Sequence, residues 1–134
     1  MLGAMLFSWD QSAPAYRSVH REVVDRLGPG EGRTWLDVGC GPGLVARLAA
    51  ARGFEVSAVD TDPAMVRLAG RRHGGQPPIA AWVADAADPL PAHDVVSAAS
   101  LLCQLPDPGH GLATLWAAVR PGGTLLVIET TDQM

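Results

Sequence analysis

The sequence predicts an α/β domain built on a doubly wound parallel sheet. Three observations predict it. Short runs rich in Val, Ile and Leu recur at 34–38, 55–59, 79–83, 94–98 and 124–128. Segments with helical spacing separate most of them, and Gly, Pro and Asp punctuate the boundaries. Strands that are apolar almost throughout belong to a sheet covered on both faces. Right-handed crossovers then limit strand–helix alternation to a doubly wound topology.

A leading helix over about 12–27 puts Val19, Val23, Val24 and Leu27 on one face, and Gly28-Pro29-Gly30 ends it. The helix over 43–52 gathers Leu44, Leu48 and Ala51, and Gly53 stands where a left-handed cap is wanted. Over 63–72 the apolar set is Met65, Val66 and Ala69. Asp62 is its N-cap, Pro63 its first residue, and Gly74-Gly75 closes it. The stretch 84–92 is short and contains proline, which predicts a loop or single turn. The last helix, 109–119, carries Leu112, Leu115, Trp116 and Val119. Asp107-Pro108 starts it, and Pro121-Gly122-Gly123 parts it from the final strand.

At 134 residues the chain has the length of one domain, and its 48% hydrophobic content suits a folded core. The formal charge is −4, and every basic residue is a scattered Arg. No basic stripe exists to neutralise phosphates, so neither a nucleic-acid partner nor a membrane surface is expected. Cys40 and Cys103 are far apart, with no CxxC pair and no His/Cys cluster of zinc spacing, so no metal is expected. Met1–Trp9 is apolar, but no basic residue precedes Arg17 and the run is short for a secretion signal. No apolar run is long enough to span a bilayer. A reducing cytoplasm is the expected setting.

The first strand, 34–38, runs directly into Gly39-Cys40-Gly41-Pro42-Gly43 and then a helix. Glycines there let the backbone approach a ligand and take positive φ, at the strand end where doubly wound sheets bind. A dinucleotide fingerprint needs glycine at first, third and sixth positions, but here the third glycine is fifth and Leu44 is sixth. A phosphate loop needs a lysine, and the chain has none. Asp37 ahead of the loop suits a cationic ligand rather than an anionic one.

The stretch Asp37-Val38-Gly39-Cys40-Gly41-Pro42-Gly43 resembles motif I of the class I S-adenosylmethionine-dependent methyltransferases. Val59-Asp60-Thr61-Asp62-Pro63-Ala64-Met65 is similar to the family's second-strand motif and Ala84-Asp85-Ala86 to its third. His93 to Pro108 and Val119 to Leu126 are similar to its fourth and fifth strands with their turns. The resemblance covers about residues 7–130 and implies a Rossmann-like sheet of order 3-2-1-4-5. It implies S-adenosylmethionine as cofactor, with S-adenosylhomocysteine as product. It gives Asp60 the ribose hydroxyls, Asp85 the adenine amino group and Met65 the adenine face. Met65 also reads as plain core. Gly39, Cys40, Gly41, Gly43, Thr61, Ala86 and Ser100 fall beside the cofactor in the same comparison. Trp9-Asp10 and Ala15-Tyr16 are similar to the leading segment that closes over it, so residues 1–30 read as a helical lid on a core of 34–130.

The expected activity is methyl transfer to a small molecule. Ser97-Ala98-Ala99-Ser100-Leu101 stands in place of the Asn/Asp-Pro-Pro-aromatic motif of amino-nitrogen methyltransferases, which argues against adenine in nucleic acid. Where family members often carry His-His, this chain has Cys103-Gln104. No general base is assigned, although His20, His93, His110, Tyr16 and Gln104 are available. The alternatives are a non-catalytic S-adenosylmethionine-binding module and, against the glycine spacing, a nicotinamide enzyme. The family's antiparallel C-terminal hairpin is absent from this sequence, which ends at Met134. Strand 124–128 is therefore expected as an open apolar edge, with a homodimer across it, an exchange between copies, or a longer parent chain as the ways of covering it.

Overall fold

The computed structural model describes residues 3–9, 13–71 and 75–130, with side chains described for 17–71 and 75–129. In chain order the elements are β1 (Gly3–Trp9), α1 (Ala13–Asp25), β2 (Thr34–Val38), α2 (Leu44–Ala51), β3 (Glu55–Asp60), α3 (Pro63–Ala69), β4 (Ala80–Val83), β5 (His93–Ala99), a 3₁₀ turn (Leu102–Gln104), α4 (Pro108–Ala117) and β6 (Val119–Thr130). All six strands are parallel, in the order β1-β6-β5-β2-β3-β4. Read from β4 to β6, this is the expected order 3-2-1-4-5.

The local signals act as anticipated. The Asp62 carboxylate accepts the Ala64 N–H at 2.9 Å, and that of Asp107 accepts the His110 N–H at 3.1 Å, capping α3 and α4. Gly53 follows α2 with φ 93°. Residues 84–92 contain no helix. Helix α3 stops at Ala69, earlier than the sequence suggests. Gly70 caps it where β4 comes close, since a Cβ on Gly70 would lie 3.3 Å from that of Ala81. Residues 72–74, at the expected end of this helix, lie outside the described set.

Alternation along the strands divides the core. Trp35, Val56, Leu126 and Ile128 pack with Val23 and Val24 of α1 and Ala46 of α2. Leu36, Val38, Val96, Leu125 and Val127 pack with Leu115 of α4 on the other face. Trp35 is fully buried and meets Phe54 edge to face at 4.9 Å; emptying such a site costs about 3–5 kcal/mol. At the opposite end of the sheet from the glycine loop, Asp94 ties β5 to β2. Its Oδ2 accepts from the Thr34 N–H at 2.9 Å, and Thr34 Oγ1 accepts the Asp94 N–H at 2.9 Å.

The expected C-terminal edge of the sheet requires correction. Strand 124–128 is not an open edge. Gly3–Trp9 lies along it in parallel register, Gly3 opposite Thr124 and Trp9 opposite Thr130. An uncharged, apolar segment satisfies the backbone groups that β6 would otherwise present to solvent. The edge at which a homodimer was expected is occupied by β1. The strand at 3–9 precedes the helical part of the leading segment.

Candidate cofactor site

A cleft of about 810 Å³ opens at the carboxyl ends of β2, β3, β4 and β5. The order of strands reverses between β2 and β5, so this is the topological switch point where open α/β sheets bind ligands. The glycine loop forms its floor. The N–H groups of Gly39 and Cys40 both donate to Val59 O, at 2.8 and 3.0 Å, which ties the loop to the end of β3. Gly41 has φ 54°, and a Cβ there would meet no atom within 4 Å. It lines the cleft, so only a ligand would compete for that space. Gly43 is different. It is the N-cap of α2 at φ 98°, and a Cβ would stand 3.0 Å from Ala69 Cα. It does not line the cleft; its smallness lets α2 start against α3.

Acids surround the loop. Asp60 ends β3, and its Oδ2 accepts the Gly41 N–H while Oδ1 accepts the Asp62 N–H, each at 2.9 Å. The same carboxylate thus faces the cleft and fixes the loop. Asp37 is only 2% exposed. Its Oδ1 accepts the Ser97 hydroxyl at 2.8 Å, and Ser97 Oγ accepts the Trp35 indole N–H at 2.8 Å. Burial pushes the Asp37 carboxyl up to about 7. The Ser97 hydrogen bond opposes that shift, and the charge of Asp60 adds to it. Burial, then Asp37 and Asp60, push the Cys40 thiol up to about 12, so it packs as a neutral group rather than acting as a nucleophile. Asp85 Oδ1 accepts the Ala87 N–H at 2.9 Å, closing a turn beside the cleft.

Thr61, Met65, Ala86 and Ser100 also line the cleft. Ser100 takes φ 55°, and its N–H donates to Ile128 O at 2.7 Å. Tyr16 belongs to α1 and Trp9 to β1, but both side chains lie outside the described residues. Of the polar groups without an assigned role, His20, Gln104 and His110 line the cleft. His93 does not; its Nδ1 lies 2.8 Å from Pro91 O. No cluster of metal-ligating side chains occurs among the described residues.

The structure adds residues that motif reading passes over. Leu101 and Leu105 form an apolar wall. Glu129, 4% exposed, accepts the Leu102 N–H at 2.9 Å beneath that wall. Its signal in the sequence is the one that marks Asp37 and Asp60: an acid at the end of an apolar strand.

Residues 13–134 match a family model described as a methyltransferase domain. The chain belongs to the class I S-adenosylmethionine-dependent methyltransferases. It is 36% identical over 110 residues to a ubiquinone biosynthesis O-methyltransferase of Alkalilimnicola ehrlichii, covering 78% of this chain and 44% of that protein. It is 39% identical over 110 residues to a trans-aconitate 2-methyltransferase of Methylobacterium radiotolerans, covering 79% and 41%. This methyltransferase chain therefore spans less than half the length of either relative. A magnesium protoporphyrin IX methyltransferase from Synechocystis, solved with bound S-adenosylmethionine, shares the fold with TM-score 0.69 at 23% identity, over 79% of this chain and 55% of that one.

The methyltransferase site fits the family's cofactor, S-adenosylmethionine. Asp37, Asp60, Asp62, Asp85 and Asp107 line the cleft, and no Arg does so among the described residues. That lining attracts a sulfonium cation and repels phosphate. Gly41 leaves the floor open, and Met65 supplies an apolar face.

Proposed function

We propose that this chain binds S-adenosylmethionine and transfers its methyl group to a small-molecule acceptor. The observation that carries the reading is the ring of carboxylates at the ends of β2 and β3, closed around a glycine that leaves ligand-sized space. When bound, the cofactor supplies a methyl group on a positively charged sulfur, which moves in line to an acceptor lone pair. The chain's own residues bind and orient. Asp60 accepts the ribose hydroxyls while holding the Gly41 amide. Asp85 accepts the adenine amino group, and Met65 covers the ring. Asp37 supplies negative charge in a dry environment, where it acts strongly on a cation. Leu101 and Leu105 exclude water from the reacting centre. Cys40, Thr61, Ala86 and Ser100 complete the wall.

No helix among the described residues is long and apolar enough to cross a membrane. Cys40 is a buried thiol outside any disulfide, which suits a reducing cytoplasm. With β6 covered, self-association has the outer edges of β1 and β4 as its routes.

Isothermal titration tests the reading. S-adenosylmethionine should bind and NAD should not. Asp60→Ala should weaken binding by a few kcal/mol, through loss of a charge-assisted acceptor and of the loop anchor. Tight NAD binding with none for the sulfonium ligand, or unchanged affinity in the alanine variant, refutes it.

A further inference from the structure

Residues 100–105 form a wall at the end of β5, and the cofactor leaves part of it unclaimed. Its two cleft-lining leucines are seated on glycines. A Cβ on Gly39 would stand 2.8 Å from Leu101 Cδ1, and one on Gly111 of α4 would collide with Leu105 Cδ1. Ser100 turns the chain into the wall at φ 55°, and its N–H donates to Ile128 O. The Leu102 N–H donates to Glu129 Oε1 at 2.9 Å. Those of Gln104 and Leu105 donate to Leu101 O and Leu102 O, at 2.9 and 3.2 Å. The segment is thus fixed by its own amides. Gln104 lines the cleft, and its Nε2 donates to Ser100 O at 2.7 Å. A carbonyl partner decides which end of the amide is nitrogen. Oε1 is therefore turned away from Ser100 O, and it accepts no hydrogen bond from the described residues.

The direction of the cofactor says what this wall meets. Strands β4, β3, β2 and β5 follow one another across the sheet. Asp85, Asp60 and the glycine loop stand beyond the ends of the first three, which orders adenine, ribose and sulfonium along them. Leu101, packed on Gly39, borders the sulfonium end. The cleft beyond it, along Gln104, Leu105 and Pro106, is left for the acceptor. None of these side chains takes up a proton at neutral pH. Asp107 at the end of the wall adds negative charge, and no Arg lines the cleft among the described residues. Resting on the methyltransferase reading above, we propose that this wall is the acceptor subsite, that Gln104 Oε1 is its specificity-determining group, and that the acceptor is an uncharged aromatic hydroxyl compound. A planar ring suits two leucines and a proline, and its O–H suits an oxygen that can only accept. A phenolic O–H is acidic enough, with a pKa of about 10, to give its proton to water where the wall offers no base. The hydroxyl oxygen's electron pair forms the bond to the methyl carbon, the carbon–sulfur pair returns to sulfur, and the hydroxyl proton leaves to solvent. A carboxylate acceptor would face the Gln104 carbonyl oxygen and Asp107 without a counter-charge.

The test uses the full chain with S-adenosylmethionine and three probes: catechol, cyclohexanol and trans-aconitate. Release of S-adenosylhomocysteine is followed, and cofactor affinity is titrated separately. The expected result is turnover of catechol and of neither other probe. Gln104→Leu removes the accepting oxygen at similar size. It should raise the KM for catechol about fivefold, the scale of one neutral hydrogen bond, while cofactor affinity stays unchanged. Gly111→Ala drives Leu105 from its seat and should also raise that KM without moving cofactor affinity. Turnover of trans-aconitate or cyclohexanol overturns the proposal, as does no turnover of catechol while the cofactor binds, or a wild-type KM in either variant. The selectivity of the wild type decides the matter even where a variant fails to fold. Failure of the wild type to bind S-adenosylmethionine strikes the methyltransferase reading itself, and the titration alone reveals it.

Discussion

Asp37 carries the sharpest conflict between folding and binding. Its carboxyl is pushed up to about 7 in the folded chain, from an ordinary value of 3.8. Between those values the folded state holds a proton that the unfolded state has released. The group therefore favours folding most at acid pH, and that contribution is lost as pH rises from 3.8 through about 7. Asp37→Asn keeps an oxygen for the Ser97 hydroxyl and removes the charge. Urea melts should show the variant more stable than wild type at pH 8, on the order of a few kcal/mol, and little different at pH 4. Its cofactor affinity should fall at pH 8, where wild-type Asp37 is ionised. A variant less stable than wild type at pH 8 contradicts this account. Asp37, Asp60 and Asp85 were legible because each stands where an apolar run meets a turn. Glu129 obeys the same rule, yet no Gly or Pro follows it to mark a strand end, so a motif search passes it by. His20 was legible only as a titratable residue on a helix; its burial in the cleft wall follows from how α1 packs across the sheet.

At the scale of elements, the helices were readable from caps and spacing, because N-caps such as Asp62 and Asp107 act locally. The N-terminal strand was not. Met1–Trp9 is apolar without alternation, and a single short run carries no sign of its partner, which lies at the far end of the sequence. The start of β6 at Val119 was hidden for a related reason. Residues 120–123 bulge between the His93–Val119 and Val95–Thr124 pairs, and Pro121-Gly122-Gly123 reads as plain turn. The role of β1 can be measured. Deleting residues 1–12 should bare the β6 edge, so that the amides of Leu125–Ile128 exchange with solvent much faster while those of β2 and β3 stay protected. Unchanged protection along β6 would show that β1 is dispensable. Gly43 makes a complementary point about legibility: it belongs to the motif by spacing, but the structure gives it a packing task at the start of α2.

For the whole molecule, the notable asymmetry is charge. Several acids converge on one end of the sheet, whereas Thr34, Asp94 and Arg120 form a small balanced network at the other, with Arg120 3.6 Å from Asp94. A cleft of one sign focuses its field on the ligand, and added salt weakens that attraction. Affinity for S-adenosylmethionine should therefore fall more steeply with ionic strength than affinity for S-adenosylhomocysteine, which lacks the sulfonium charge. Equal salt slopes would mean that the acids act only through hydrogen bonds. The pairing of β1 with β6 has a temporal side as well. Gly3–Trp9 is made well before its partner strand, so it has nothing in this sheet to join until residues 119–130 have followed. Contacts between such distant parts of a chain form slowly. The β1 edge of the sheet can close only after β6 has been made, and until then an apolar segment is left without its partner strand.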